Sequence, residues 1–303
     1  MVDPLSDVIR LLRPRAVFTK GISGAGAWAV RYTEFGHPSF CAVTEGRCRL
    51  LVDGEAPMTL EAGDFVLLPA TPGFTLSGFQ PATPRLIDPH AAPAPAHEVR
   101  HGDPAGPADV RMLGGHFLFE SPDAALLVTL LPALVHVRGV DRLTTVLRLL
   151  GEEAQADRDG QDLVMFRLIE VLLVEALRSV PGQQAAPGLL RGLADPRVAA
   201  AMRGMHGDPA QSWTIARLAK ASGMSRSAFF DRFTRAVGLP PMEYLMAWRM
   251  ALAKQLLRRR DIPLDAVAEK VGYRSASTFS TAFRRHAGES PGRYARRAGL
   301  AAA

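Results

Sequence analysis

The sequence predicts an α+β chain, with a β-barrel in its N-terminal part, a helical segment after it and an all-α C-terminal part. Three observations carry that expectation. Short apolar runs broken by turn residues fill positions 17–79, apolar residues recur at helical spacing after Ser121, and the last third of the chain repeats itself.

The runs AWAVRY, SFCAV, CRLLVDG and DFVLLP are rich in β-branched and aromatic residues and read as strands. Glu45-Gly46 and Asp53-Gly54 sit between such runs as hairpin turns, and Glu61 to Asp64 marks another tight turn. Strands so short and so closely spaced predict a barrel or sandwich. Gln80 to Val110, rich in Pro, Ala and charge, reads as a surface excursion, and Val110–Phe119 as the strand that closes the unit. Trp28, Phe40, Phe65, Phe74 and His116 are the candidates for a pocket inside the barrel, although the same aromatic residues are equally suited to filling it. His116 and His136 lie in apolar segments, where a histidine is more often part of the core than a ligand. With Glu45-Gly46 as a turn, Cys41 lies one diagonal step from Cys48, about 7 Å away. That exceeds easy disulfide reach, so both read as buried thiols.

After the barrel, Leu126–Leu134 reads as a short helix and Asp141–Ala156 as an amphipathic one. Gln161–Val180 is apolar nearly all round, and a helix of that kind must be covered on most sides. A second copy of the chain is the economical cover, so a homodimer through this helix is expected. Pro181 to Gly188 reads as a linker. The expected boundaries are therefore 1–120 for the barrel, 121–180 for the helical dimerisation segment, 181–194 for the linker and 195–303 for the C-terminal domain.

The repeat is the most informative feature. Ile215, Leu218, Ala219, Gly223, Ser225, Phe229, Phe233, Gly238, Pro241 and Tyr244 reappear as Leu264, Val267, Ala268, Gly272, Ser275, Phe279, Phe283, Gly288, Pro291 and Tyr294. The offset is 49 residues up to the glycine and 50 from the serine onward, so the second copy has one extra residue in its turn. Each copy reads as a helix-turn-helix: a short helix (Thr214–Ser222, Leu264–Val271) stops at a glycine able to turn left-handed, and a serine caps the next helix. Two phenylalanines four residues apart anchor that second helix, which leaves its opposite face exposed.

On that face lie Arg226, Ser227, Phe230, Asp231, Thr234 and Arg235 in the first copy. The second offers Ala276, Ser277, Ser280, Thr281, Arg284 and Arg285. Small polar residues at the helix start with arginines further along suit a helix lying in the DNA major groove. Arg226, Ser227, Phe230, Asp231, Ser277 and Thr281 are the candidates to face bases, and Ser225, Arg235, Arg274, Ser275, Arg284 and Arg285 to hold phosphates. Arg258–Arg260 and the tail residues Arg293, Arg296 and Arg297 are further phosphate candidates. Met242–Arg259 reads as a connecting helix of roughly 25 Å. A strut of that length can hold two reading helices near one turn of DNA, about 34 Å, apart.

GMSRSAFFDRFTRAVGLPPMEYLMAWRMALAKQLL and PLDAVAEKVGYRSASTFSTAFRRHAGESPGRY together resemble the two-part DNA-binding domain of the AraC/XylS bacterial transcription regulators over about residues 195–297. By that resemblance Ser227, Phe230, Asp231, Ser277 and Thr281 face bases, and Phe230 and Asp231 depart from the long polar residues often found there. GRCRLLVDGEAPMTLEAGDFVLLPATPGFTL and GGHFLFESPDAALLVTLLPALVHVRG resemble the cupin-type sensing domain carried by many such regulators. The resemblance implies a cupin-like barrel that receives a small effector, helices that pair subunits, promoter DNA and RNA polymerase as partners, and activation more often than repression. Metal-binding cupins use a close His pair, a Glu and a later His; here His37 stands alone before the hairpin and Phe74 occupies the later position, so no metal and no cofactor is expected.

Composition bounds the remaining classes. The 303 residues are 48% hydrophobic and 22% charged, enough for two domains with sizeable cores. Two cysteines make neither a disulfide framework nor a four-cysteine zinc cluster, and no long apolar leader or membrane span is expected, which favours the cytoplasm. The net charge of +6 is uneven: from Gly207 onward 17 Lys and Arg face 7 Asp and Glu, a balance of +10, while the rest carries −4. A basic third on a mildly acidic body fits one part that meets a polyanion and one that does not. No phosphate-binding glycine loop, GxSxG elbow or HExxH helix is present, so catalysis has no visible carrier.

Overall fold

In the computed structural model the described residues are all but 1, 35–36, 89–97, 120–127, 129, 155, 157, 181–184, 260–261 and 301–303. The chain divides into two units, one formed by residues 13–120 and 131–181 and the other by 1–12, 121–130 and 182–303. The opening helix α1 (Pro4–Leu12), placed with the barrel by the sequence reading, belongs to the second unit. Its apolar residues Leu5, Val8, Ile9 and Leu12 are buried, and it packs on two helices of that unit's first half.

Among the described residues the first unit holds ten strands: β1 (Pro14–Ala25), β2 (Ala29–Tyr32), β3 (Ser39–Val52), β4 (Met58–Glu61), β5 (Asp64–Leu68), β6 (Phe74–Ser77), β7 (Arg85–Ile87), β8 (Glu98–Gly102), β9 (Val110–Phe119) and β10 (Val135–Arg138). The main path runs β7-β2-β6-β3-β9-β1-β8, with β4 and β5 both on β3 and β10 on β5.

Strand β3 corrects the expected turn at Glu45-Gly46. It is continuous, with a bulge between Val43 and Glu45, and Glu45 and Gly46 pair with Arg111 and Val110 of β9. Gly46 has φ +69°, and a Cβ there would strike the Asp109 carbonyl, so this glycine bends a strand rather than reversing it. Opposite it, Ala62-Gly63 bends the returning chain. Ala62 N–H donates to Gly46 O at 3.0 Å and Gly63 N–H to Val43 O at 2.9 Å. The true reversal lies at Asp53–Pro57, so β3 and β4–β5 form one long hairpin folded at a corner. Cys41 and Cys48 consequently sit on one strand, not across a turn.

The expected excursion after Gln80 contains two more strands. β7 pairs in parallel with β2 and β8 in parallel with β1, at the two ends of the path. Edge strands need backbone pairing but little apolar side chain, so their charge hid them from a reading based on apolar runs. Likewise Leu130–Leu134 is not helical and leads into β10; of the expected helix 126–134, residues 126, 127 and 129 lie outside the described residues.

One face of the barrel is packed by Ile22, Trp28, Val30, Val43, Cys48, Leu50, Val52, Leu60, Val66, Leu68, Leu76, Val110 and Met112. The other is crossed by α2 (Asp141–Ala154) and α3 (Gln161–Arg178), which pack on each other and on β1. In α3, Ile169, Leu172, Leu173, Ala176 and Leu177 are buried, whereas Leu163, Val164 and Val171 stay exposed.

The second unit continues with α4 (Leu189–Ala194), α5 (Pro196–Gly207), α6 (Ile215–Ala221), α7 (Arg226–Val237), α8 (Pro241–Arg259), α9 (Leu264–Lys270), α10 (Ala276–Ala287) and α11 (Pro291–Leu300). Part of the expected linker, residues 189–194, is therefore a helix, and its Leu189 and Leu190 are buried.

Candidate nucleic-acid interface

The repeat folds as two copies of one local structure. Gly223 (φ +62°) and Gly272 (φ +82°) end the short helices α6 and α9 in the left-handed region, where a Cβ would be strained. In the following turns Met224 N–H donates to Ala219 O and Tyr273 N–H to Ala268 O, both at 2.9 Å. Ser225 then caps α7 by accepting from Ala228 N–H at 3.3 Å, and Ser275 caps α10 by accepting from Thr278 N–H at 3.2 Å. Phe229, Phe233, Phe279 and Phe283 are fully buried, so rotation of α7 and α10 about their axes is fixed by packing. Helix α8 joins both cores: Tyr244 packs edge-on against Phe233, while Met250, Ala253 and Leu257 enter the cluster around Phe279 and Phe283.

The opposite faces carry the candidate readers. Arg226, Ser227, Phe230 and Asp231 of α7 are exposed, as are Ser277 and Thr281 of α10. Phe230 of α7 stands out because 41% of its surface faces water, unusual for a phenylalanine. Thr281 donates its hydroxyl proton to Ser277 O at 3.2 Å, leaving its oxygen as an acceptor and its methyl as an apolar contact. Of the phosphate candidates, Ser225, Arg235, Arg274, Ser275, Arg284 and Arg285 are exposed, and none of these arginines forms an ion pair with another described residue. Arg293 and Arg297 differ, since Glu289 engages both, at 3.8 and 2.6 Å. Arg260 lies outside the described residues. Arg232, which the sequence reading did not single out, ties α7 to the start of α5. Its guanidinium meets Asp195 Oδ2 at 2.5 Å, and Asp195 caps α5 through Arg197 and Val198 N–H. Although burial alone would raise the Asp195 pKa, the Arg232 bond and these amides hold it below the ordinary carboxylate value.

Two family models match the chain, one described as Cupin over residues 3–181 and one as Helix-turn-helix domain over residues 218–297. An AraC-like transcription regulator of Streptomyces antibioticus is 38% identical over 97% of this chain and 98% of its own length. A second, from Streptomyces lividans, is 37% identical over the same shares. The chain belongs to the AraC-like family of transcription regulators. It is a sequence-specific DNA-binding regulator with a cupin domain ahead of its helix-turn-helix domain. Among solved structures, the DNA-binding domain of AdpA in complex with a target DNA is 31% identical over 34% of this chain and 92% of its own, with a TM-score of 0.32.

The five residues read as candidates for a barrel pocket are not brought together. Trp28 belongs to the packed interior, and Phe74 lies against that interior and stacks on Tyr32 at 4.8 Å. Phe40 and Phe65 stack on each other at 6.4 Å at alternate strand positions, on the opposite face. His116 is half-buried on β9, opposite Ser39. Among the described residues no three His, Cys, Asp or Glu side chains are grouped as metal ligands would be, and no helix is long and apolar enough to cross a membrane. Burial pushes the Cys41 and Cys48 thiols far towards the protonated form, Cys48 to about 12, so neither is a ready nucleophile. Cys41 S–H donates to the thioether sulfur of Met112 at 3.4 Å.

Proposed function

We propose that this cytoplasmic AraC-like regulator reads two successive major grooves of promoter DNA, with α7 in one and α10 in the next. The observation that carries the reading is the duplicated, serine-capped helix with buried phenylalanines on one side and, on the other, exposed arginines that form no ion pair with another described residue. Groove chemistry then assigns the readers. Arg226 suits guanine O6 and N7, Asp231 accepts from cytosine N4, and Phe230 covers a thymine methyl. Ser277 and Thr281 read from the second helix. Helix α8, with 19 residues, spans roughly 28 Å and sets the distance between the two.

The same proposal includes a homodimer formed through the exposed Leu163, Val164 and Val171 of α3, an effector received by the cupin domain, and activation through contact with RNA polymerase. A dimer would present four reading helices, and the effector would act by favouring one arrangement of them. The test is selection of duplexes from a random pool by the full chain, followed by affinity measurements over a salt series. Enrichment of a bipartite site, with Arg226→Ala and Thr281→Ala each weakening a different half, supports the reading. Binding with no preference over random duplex would sink it.

A further inference from the structure

On the face of the barrel opposite its packed interior, a cleft of about 490 Å³ opens beneath α2. Its floor is Ala42, Phe65, Leu113 and Val137, which are register partners across β3, β5, β9 and β10; its roof is Leu143, Leu147 and Gly151. We propose that this cleft, not the barrel interior, holds the effector, a neutral and largely apolar small molecule. The inference rests on the effector-responsive reading above and names the site and the ligand class. The volume falls in the range of small-molecule sites, about 300–1,000 Å³.

The charges around the cleft are already neutralised. Arg148 Nη1 meets Glu152 Oε1 at 2.7 Å, and both carboxylate oxygens of Asp64 are taken by Arg138, at 2.6 and 2.8 Å. Among the described residues that line the cleft, an ionic ligand would find no charge without a partner. The hydroxyls at the rim have also used their protons: Thr44 donates to Arg111 O at 3.1 Å and Thr144 to Val140 O at 3.4 Å. What they still offer is lone pairs, which suit a ligand carrying one N–H or O–H group.

Gly151 is the telling residue. It lies inside α2 with no left-handed φ, and a Cβ there would make only ordinary contact with Leu113, at 3.6 and 3.9 Å. Neither backbone nor sterics demand glycine, and within a helix it is about 1 kcal/mol less stable than alanine. Its missing side chain keeps one end of the cleft open.

The probe for the test is N-phenyl-1-naphthylamine, an uncharged apolar fluorophore with a single N–H, titrated into the full chain. Saturable equimolar binding is expected, weakened at least about tenfold by Gly151→Leu, which fills the roof, and by Thr144→Trp, which blocks the mouth from an exposed position. Thermal melting reports folding, and Gly151→Leu should melt no lower than wild type. Wild-type affinity in both folded variants, or no saturable binding to the wild type, overturns the proposal. So does loss of binding in Leu163→Glu instead, which puts the probe on α3. In a second arm the probe must change affinity for a selected duplex in the wild type and not in the variants; binding at the cleft without that change refutes the effector role. Failure to select any duplex would refute DNA reading, while the fluorescence arm, which involves no DNA, still judges the cleft.

Discussion

In the first helix-turn-helix copy the rings of Phe229 and Phe233 lie 5.6 Å apart, and Tyr244 meets Phe233 edge-on at 5.7 Å. In the second, Phe279 and Phe283 lie 5.5 Å apart and Tyr294 meets Phe283 edge-on at 5.5 Å. Even the ring tilts agree, 52° and 68° against 56° and 71°. On the outward faces the likeness ends: Phe230 and Asp231 stand where the second copy has Ser280 and Thr281. Packing constrains the shape of the inner face closely, since a lost methylene is felt there, whereas the outer face is exposed and carries no such packing demand. The duplicated core supplies two equivalent supports, and the divergent surfaces are where the proposed reading of different bases is to be tested.

The largest effect should come from breaking either core. Phe229→Ala and Phe279→Ala should each cost about 3–5 kcal/mol, read as a lowered denaturation midpoint. Equal costs would confirm the equivalence of the cores; a difference above about 1 kcal/mol would show that one copy relaxes around its cavity and the other does not. Next come the faces, where Arg226→Ala or Asp231→Ala should cost about 1–3 kcal/mol at a single base pair of the selected site. Phe230→Ala should abolish the preference for thymine over uracil, and the same substitution of uracil opposite α10 should be insensitive to it. Capping comes third. Ser225→Ala and Ser275→Ala should each cost about 1 kcal/mol, as should Thr214→Ala, whose hydroxyl accepts from Arg217 N–H at 3.2 Å. The corresponding residue of the second copy, Pro263, has no side-chain cap to lose.

The same contrast governs how much the sequence could reveal. Both copies were legible because glycine, serine and paired phenylalanines carry positional demands that survive in one-dimensional form. The barrel was legible in its interior strands but not at its corner. Gly46 looks the same in sequence whether it reverses a strand or bends one, and only the pairing of Glu45 and Gly46 with β9 decides. The edge strands β7 and β8 were lost in polar composition, and β10 in the expectation of a helix. The cleft under α2 was beyond sequence reading, since it is made by residues from four strands and a helix, and its clearest trace is a single helical glycine. The docking of α1 was equally hidden, because an amphipathic helix does not say which surface it will cover.

That helix gives the first copy something the second lacks, and with it the smallest of the expected effects. His206 is buried between Trp248, stacked at 3.8 Å, and Tyr244, whose hydroxyl lies 2.7 Å from Nε2, while Nδ1 lies 3.2 Å from Asp7 of α1. Around Tyr294 the arrangement differs, with Arg297 over the ring at 5.8 Å. Burial lowers the His206 pKa below the ordinary value, against the opposing pull of Asp7 and Asp3. A histidine favoured as neutral in the fold adds stability that is complete above the unfolded-state value of about 6.5 and declines as pH falls below it. Because the two acids oppose burial, the loss should be modest, and it should fall on the first copy alone. Amide exchange measured at neutral pH and again at about pH 5.5 should therefore show faster opening of α5 and the N-terminal half of α8 than of α10, with the difference removed by His206→Gln. Equal acceleration in both copies would mean that acid acts through carboxylates common to the whole unit, and that His206 is only a packing residue.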